Sequence, residues 1–137
     1  MNPWQRLRDK FTPALPADRA ERGRLGERKA AAMLKSRGMR ILARNWRAGH
    51  DEIDLVCQEG EVLVFVEVRT RDASALVGGY HSVTEAKKTK LRRACRAYMK
   101  ALRTSPPHTR FDIVEVKLGP GKEIALYHHP NVCLFQL

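Results

Sequence analysis

Residues 52–70 have the sequence EIDLVCQEGEVLVFVEVRT and predict a β-hairpin. Apolar and polar residues alternate in the first half, as they do in a half-buried strand. We place the turn at residues 58–61, where Gly60 can adopt a positive φ. The run 62–68 is rich in β-branched and aromatic residues and too short for a helix. We expect it to be an interior strand covered on both faces.

The register of this hairpin decides whether its charged residues meet. A loop of two or four residues at the middle of that turn places Asp54 opposite Phe65 and Glu52 opposite Glu67, all on the side of Arg69. Like charges opposed across a ladder are unfavourable, and a divalent cation with oxygen ligands is the usual means of accommodating them. An odd loop length would move Asp54 to the other face and remove the site.

Composition limits the domain organisation and the partners. The 137 residues suffice for one domain with a substantial core. Lys and Arg number 26 against 15 Asp and Glu, giving a formal net charge of +11, which favours either nucleic acid or an anionic membrane surface. No apolar run is long enough for a membrane span, and the positively charged N-terminal region lacks the apolar segment of a secretory signal. The three scattered cysteines are typical of reduced structural thiols, so we expect a cytoplasmic protein.

The order of helices and strands predicts an α/β fold with a mixed central β-sheet flanked by helices. Further strands are expected at residues 41–46, 111–117 and 124–128. We predict a basic N-terminal arm at residues 1–16, mobile or loosely docked, followed by a single domain at residues 17–137. Binding of nucleic acid by the arm is the sharper alternative.

Two helices are predicted, and each carries an unexpected charge on its inward side. The first runs from the N-cap Asp18 to Gly38 and has Glu27 on its apolar face. The simpler explanation for Glu27 is that it turns outward or pairs with a nearby arginine. The second begins with a capping box, S-x-x-E, at residues 82–85 and has Lys87 on its buried stripe.

The rest of the second helix is strongly basic with almost no balancing acid. A charged helical face is most often only solvated, but the lack of acidic partners favours phosphate contact. The expected nucleic-acid-binding residues are Lys88, Lys90, Arg92, Arg93 and Arg96. Association with a membrane surface fits these charges, but the buried stripe is poor in aliphatic residues and is needed by the core.

One chemical motif stands out, and it consists of Asp54 followed by Glu67-Val68-Arg69. The chain has no P-loop, nucleophile elbow or dinucleotide fingerprint, and its histidines lack zinc-ligand spacing with the cysteines. Carboxylates on adjacent strands can hold Mg²⁺ or Mn²⁺, which binds a scissile phosphate and polarises an attacking water. Arg69 can stabilise the charge of the transition state. The alternative is a pair of sheet-edge carboxylates neutralised by Arg69 and neighbouring lysines.

These residues resemble the YraN family of small, uncharacterised bacterial proteins. The segments that carry the resemblance lie within about residues 20–135 and are Gly26-Glu27, Asn45, Glu52-Ile53-Asp54-Leu55-Val56, residues 64–71, Val83 with Lys87, and Arg110-Phe111-Asp112. That family is similar to the PD-(D/E)xK restriction-endonuclease-like superfamily, which includes archaeal Holliday junction resolvases. The resemblance implies a restriction-endonuclease-like core with metal ligands Glu27, Asp54 and Glu67. Arg69 then occupies the basic position of the motif, and Lys87 the lysine position of the helix.

Two residues depart from the family pattern. Asp51 stands where glycine usually precedes Glu-Ile-Asp, and Arg69 stands where lysine is expected. Arginine stays protonated and cannot act as a base, although it can clamp a phosphate oxygen. Activation of water would therefore rest on the metal or on Lys87.

The resemblance implies a nuclease that depends on Mg²⁺ or Mn²⁺ and acts on structured or branched DNA. Its catalytic residues would be Asp54, Glu67, Arg69 and Lys87. Enzymes for branched substrates often need two active sites, so a homodimer is consistent with this function. The alternative is a nucleic-acid-binding module that keeps the nuclease fold and the basic surface without turnover.

Overall fold

The fold is a five-stranded mixed sheet with a helix packed on each face. A computed structural model describes residues 18–73, 82–121 and 123–134, so the N-terminal arm lies outside the described residues. The elements in chain order are α1 (Arg19–Ser36), β1 (Arg40–Ala48), β2 (Asp51–Glu59), β3 (Val62–Asp72), α2 (Glu85–Ala101), β4 (His108–Leu118) and β5 (Ile124–His129). The predicted α/β fold class is confirmed. Neither of the two helices that the structure describes is long and apolar enough to cross a membrane.

The strands are hydrogen-bonded in sequence order, from β1 at one edge to β5 at the other. Neighbouring strands are antiparallel except β3 and β4, which are parallel. A parallel pair needs a long crossover, and α2 lies in that connection. The other connections that the structure describes are short turns.

The hairpin of β2 and β3 forms as predicted, but its turn lies later in the chain. The loop is Gly60-Glu61, and Gly60 has a φ of 57°. Phe65 pairs with Val56, so the prediction that it faces Asp54 is wrong. The register is shifted by two residues because the turn uses Gly60 as its first residue. The even loop length is kept, so Leu55, Val56 and Cys57 keep their predicted faces.

β3 is the central strand and is buried on both faces, as predicted. Every residue from Leu63 to Val68 is buried. α1 packs on one face and α2 on the other, and each helix closes its own apolar cluster. Burial on both sides explains why this strand is a continuous apolar run.

α1 begins at the N-cap Asp18 and ends before Gly38, as predicted. The Asp18 carboxylate accepts a hydrogen bond of 3.1 Å from a backbone N–H of the first turn, and Gly38 has a φ of 92°. At Gly26 the helix lies directly on β3, because a Cβ there would be 1.9 Å from Thr70 Oγ1. This contact holds Glu27 close to the end of β3.

α2 begins differently from the predicted capping box. Its N-cap is Thr84, whose Oγ1 accepts a hydrogen bond of 3.2 Å from the Lys87 N–H. The prediction of Ser82 as the cap is therefore wrong. Ser82 Oγ instead accepts a hydrogen bond of 2.9 Å from Arg69 Nε. The hydroxyl that was expected to cap the helix belongs to the charged site on β3.

The cysteines at positions 57 and 95 are structural. Burial raises the pKa of both thiols to about 12, so they stay neutral and unreactive. Each lies in one of the two apolar clusters, Cys57 beside α1 and Cys95 on α2.

Substitution of Gly26 by alanine tests the contact between α1 and β3. Gly26→Ala is expected to destabilise the protein by about 1–3 kcal/mol, because the new methyl group overlaps Thr70 Oγ1. Gly23→Ala is the matched control, since a Cβ there meets nothing within 4 Å, and alanine favours the helix by up to about 1 kcal/mol. Urea denaturation measures both. Thr70→Ala should restore part of the stability of Gly26→Ala, and equal stability of the two alanine variants would contradict the close approach.

Candidate metal and phosphate site

Two carboxyl groups meet where β2 and β3 separate. The last pair of the ladder on this side is Leu55 with Val66, and Asp54 and Glu67 follow directly. Asp54 Oδ2 accepts a hydrogen bond of 2.8 Å from the Val68 N–H. Glu67 is only 2% exposed. The two carboxyl groups are within hydrogen-bonding reach of each other, and burial together with the charge of Glu67 raises the pKa of Asp54 well above its ordinary value.

The predicted pairing of Glu52 with Glu67 is wrong. Glu52 pairs with Arg47 of β1, and its Oε2 lies 3.6 Å from Arg47 Nε. The carboxylate across from Glu67 is Asp54, so the predicted convergence occurs with a different partner. The two-residue shift in register brings the motif residues closer together than the sequence analysis expected.

An irregularity in β1 and β2 directs Asp54 towards β3. Ile53 lies in the cluster beside α2, while Leu55 lies in the cluster beside α1. Residues two apart in a regular strand share a face, so the strand changes face at Asp54. Asn45, in the matching position of β1, has a φ of 48°, and the paired residues of the two strands leave out both positions. A local break of this kind re-aims a side chain.

Two cations contact the same oxygen of Glu67. Lys87 Nζ lies 3.5 Å and Arg69 Nη1 3.4 Å from Glu67 Oε1. Arg69 is fixed at its other edge by Ser82. In contrast, Glu67 Oε2 is buried and has no hydrogen-bond partner among the described residues. Glu67 and Asp54 can share a hydrogen bond only when one of the two carboxyl groups carries a proton. As two carboxylates they leave this oxygen without a donor, which is costly.

Glu27 reaches the same place from α1. Burial and the charge of Asp54 raise its pKa, while a hydrogen bond from the Asn45 side chain opposes this effect. The residue is therefore half-buried beside the pair and does not simply turn outward. No three His, Cys, Asp or Glu side chains in the described ranges form a group that could hold a metal ion as they stand. Asp54 and Glu67 are the close pair, and Glu27 is a third carboxylate beside Asp54.

One cleft, with a volume of about 500 Å³, is lined by all five residues that were predicted to bind metal or take part in catalysis: Glu27, Asp54, Glu67, Arg69 and Lys87. Its carboxylates are Glu27, Asp54, Glu67 and Asp72, and its cations are Arg19, Arg22, Arg69, Arg71 and Lys87. Burial, Arg69 and Arg19 lower the pKa of Arg71, which shows that these guanidinium groups crowd one another. Crowded arginines in a cleft are suited to a phosphate, whose negative charge relieves their repulsion.

Sequence reasoning missed three cations of this cleft. Arg19 and Arg22 lie in the first turn of α1, three positions apart and therefore on one side of the helix. Arg71 lies two residues after Arg69, on the same side of β3. Both spacings are visible in the sequence, and either could have been noticed once Glu27 and Arg69 were assigned to one site.

The predicted basic face of α2 is partly engaged in structural contacts. Arg92 Nη1 donates a hydrogen bond of 2.7 Å to the Leu134 carbonyl. Arg93 donates two hydrogen bonds to Asp51, one of 2.8 Å from Nη2 to Oδ1. Lys88 Nζ lies 3.4 Å from Glu85.

The other two predicted binding residues of α2, Lys90 and Arg96, are exposed. The role of all five residues in nucleic-acid binding stays a prediction.

The Arg110-Phe111-Asp112 segment has a structural role in β4, away from the cleft. Asp112 is fully buried and accepts hydrogen bonds from Arg110 Nε at 2.8 Å and from the Asn131 N–H at 2.9 Å. His128 Nε2 lies 2.8 Å from its other oxygen. This network ties β4 to β5 and to the chain after β5, and it does not line the cleft.

Fold and cleft together define a small α/β protein with a carboxylate and arginine site at the end of its central hairpin. Residues 26–116 match the uncharacterised protein family UPF0102. The chain belongs to this family, which confirms the predicted YraN resemblance. The matched residues include Glu27, Asp54, Glu67, Arg69 and Lys87.

Relatives match along most of the chain. A UPF0102 protein of Symbiobacterium thermophilum is 47% identical over 98 residues, or 72% of this chain and 83% of the relative. One of Lawsonia intracellularis is 38% identical over 115 residues, or 84% and 86%. Among solved structures, Pyrococcus furiosus SfsA in complex with Ca²⁺ matches at a TM-score of 0.36 and 12% identity, covering 87% of this chain and 67% of that one. A likeness this weak carries no argument about the site.

Asp54→Asn is expected to raise the stability of the metal-free protein at neutral pH. The pKa of Asp54 is higher in the folded than in the unfolded protein, so its ionisation costs stability as pH rises above the unfolded value of about 3.9. An asparagine carries no charge, can donate to Glu67 and can still accept from Val68. Thermal unfolding should show a gain of a few degrees at pH 7.5 that shrinks towards pH 4.

Asp72→Asn is the control for this experiment. Asp72 is an exposed carboxylate of the same strand, and its Oδ1 lies 2.8 Å from Arg22 Nη1. Its replacement should bring no gain at neutral pH. A gain for Asp54→Asn that does not depend on pH would contradict the assignment of the cost to ionisation.

Proposed function

We propose that this protein is a divalent-metal-dependent nuclease that acts on structured or branched DNA. The observation that carries the proposal is the buried pair of Asp54 and Glu67. Lys87 and Arg69 contact Glu67, and further arginines line the same cleft. A structural ion pair would leave each carboxylate oxygen with a donor. Here Glu67 Oε2 has none among the described residues, and a second carboxyl group, that of Asp54, lies within hydrogen-bonding reach of Glu67.

The residues present fit Mg²⁺ or Mn²⁺, which take carboxylate oxygens as ligands. Asp54 and Glu67 would be the direct ligands, and Glu27 would bind directly or through water. A bound cation would polarise the scissile phosphate and lower the pKa of the attacking water. Asn45 and the Val68 N–H fix the orientation of two of these carboxylates, as groups behind a metal site commonly do.

The cations of the site contribute positive charge. Arg69 remains protonated, so it serves as a clamp for a phosphate oxygen and stabilises the charge of the transition state. Lys87 is ion-paired with Glu67 and therefore enters as an ammonium group. It keeps the ligand in place and adds to the same positive field. Neither residue is required to remove a proton from the attacking water.

DNA is the partner that best fits the charge. The formal net charge is +11, and the arginines at the cleft adjoin the proposed ligands. Lys90 and Arg96, exposed on α2, would add contacts to the phosphate backbone. Two copies acting as a homodimer would present two such clefts to a four-way junction.

Cleavage assays with linear, nicked, flapped and four-way DNA in Mg²⁺ or Mn²⁺ test the proposal. Asp54→Asn is expected to lower the cleavage rate by at least about a hundredfold, a loss typical for removal of one charge-stabilising group. Its DNA affinity in EDTA should be unchanged or raised, because a negative charge near phosphate is removed. Glu61→Gln, in the exposed turn at the other end of the hairpin, is the control and should cleave normally.

The second candidate is a non-catalytic nucleic-acid-binding module, because Arg69 stands where the family pattern has lysine and cannot act as a base. Arg69→Lys should cleave at least as well as the parent if arginine merely replaces lysine. Cleavage by Arg69→Lys alone would identify a binding module that lost its chemistry at one position. If neither protein cuts any of these DNAs, the nuclease function is wrong and nucleic-acid binding alone remains.

Binding through phosphate contacts predicts a steep salt dependence. The logarithm of the association constant should fall linearly with the logarithm of salt concentration, and Arg71→Gln should reduce that slope by about one. Arg40→Gln, on edge strand β1 and outside the cleft, is the matched control. A response that is flat in salt would instead favour a protein partner.

A further inference from the structure

An exposed aromatic ring stands beside a lysine on the edge strand β5. Tyr127 is 49% exposed, and the other exposed large apolar side chain among the described residues is Leu42. Lys117 Nζ lies 5.2 Å from the centre of the Tyr127 ring. The lysine ammonium therefore lies over one face of a half-exposed ring, an arrangement that the core does not require.

Tyr127 lies on the α2 side of the sheet, beyond the strands that α2 covers. It pairs with Glu115, which shares its face with Ile113 of the cluster beside α2. Leu126 points the other way, into the cluster beside α1. α2 packs mainly against β1 and β2. Within the described part of the chain, this face of β5 is accordingly open.

The register connects this face with the cleft. Arg69 of β3 is the neighbour of Glu115, and Arg71 is the neighbour of Lys117. Two inter-strand spacings separate β3 from β5, which places Tyr127 about 10 Å from Arg69 along the sheet. At the 3.4 Å rise of a strand in duplex DNA such a distance corresponds to about three nucleotides, and a more extended unpaired strand spans it with fewer. A strand that leaves the arginines of the cleft can therefore reach the tyrosine.

One acidic residue lies on this path. Glu115 is buried, and its Oε2 lies 2.6 Å from His129 Nε2. The surface that remains for a ligand is formed by Lys117, Tyr127 and His129, which we name the β4–β5 strip. Its cationic and aromatic composition matches a polyanion that also carries ring systems.

We propose that the β4–β5 strip binds an unpaired strand of nucleic acid next to the phosphodiester held in the cleft. Tyr127 stacks on a base and Lys117 contacts a phosphate. A duplex keeps its bases inside the helix, so an exposed ring on a sheet is available only to unpaired bases. The inference rests on the proposed function and narrows its substrates to DNA with a single-stranded arm beside the cut.

Fluorescence anisotropy in EDTA tests the strip without any cleavage. Three DNAs of one sequence are compared: a single strand, a blunt duplex, and a duplex with a single-stranded arm. The parent should bind the single strand and the armed duplex more tightly than the blunt duplex. Tyr127→Ala should weaken binding of those two at least about fivefold, in line with the loss of one stacked base, and leave the blunt duplex unchanged.

Two further variants separate stacking from folding and from general loss of apolar surface. Tyr127→Phe keeps the aromatic face and should bind as the parent does. Leu42→Ala removes the other exposed apolar side chain, outside the strip, and should bind normally. Equal affinity of Tyr127→Ala and the parent for the armed duplex overturns the inference, and so does a preference of the parent for the blunt duplex.

Crosslinking locates the contact in the unaltered protein. A single strand containing 5-iodouracil should crosslink to the peptide that carries Tyr127, and crosslinks confined to other peptides would contradict the strip. The outcomes also separate this inference from the nuclease function. If Tyr127→Ala loses affinity for the armed duplex and the parent cuts no DNA, the strip is supported and the nuclease function is contradicted. If cleavage depends on Asp54 and Tyr127→Ala binds as the parent does, only the inference about the strip is contradicted.

Discussion

Burial of β3 on both faces is the constraint on which the rest of the structure depends. A strand covered on both sides needs a layer of helix above and below it, and α1 and α2 supply those layers. The crossover through α2 follows from the parallel pairing of β3 with β4. On the other side, α1 can approach closely only because Gly26 has no side chain to meet Thr70. The same approach brings Glu27 to the end of the strand.

A charged residue inside such a strand has a large electrostatic cost, and the surroundings of Glu67 show how that cost is partly offset. Lys87 and Arg69 contact one oxygen, while the other has no hydrogen-bond donor among the described residues. A core chosen for stability alone would fill this space with apolar groups. Residues that break the rules of packing in this way are expected at functional sites. The incomplete neutralisation of Glu67 is the feature on which the proposal of a bound divalent cation rests.

The sequence predicted those features that local patterning determines and missed those that depend on distant residues. The even loop of the hairpin put the carboxylates on one face, but the choice of Gly60 as the first turn residue was not encoded in the alternation. The change of face at Asp54 depends on its position across from Asn45 in β1, so periodicity alone could not show it. Ser82 and Thr84 are both good N-cap residues, so the sequence did not distinguish them. Ser82 Oγ accepts a hydrogen bond from Arg69 of β3, and Thr84 caps the helix.

Both departures from the family pattern have partners that make them part of the structure. Asp51, in place of glycine, receives two hydrogen bonds from Arg93, which lower its pKa and fix α2 to the start of β2. Arg69, in place of lysine, donates to Ser82 through Nε and to Glu67 through Nη1. A guanidinium group has five N–H donors, and these two contacts orient its plane while other donors remain for the cleft. A lysine carries its three donors on one nitrogen at the end of a flexible chain, so it lacks the fixed spacing of Nε and Nη1 that makes these two contacts. These contacts therefore hold the Arg69 guanidinium in a fixed orientation at the cleft, as the proposed phosphate clamp requires.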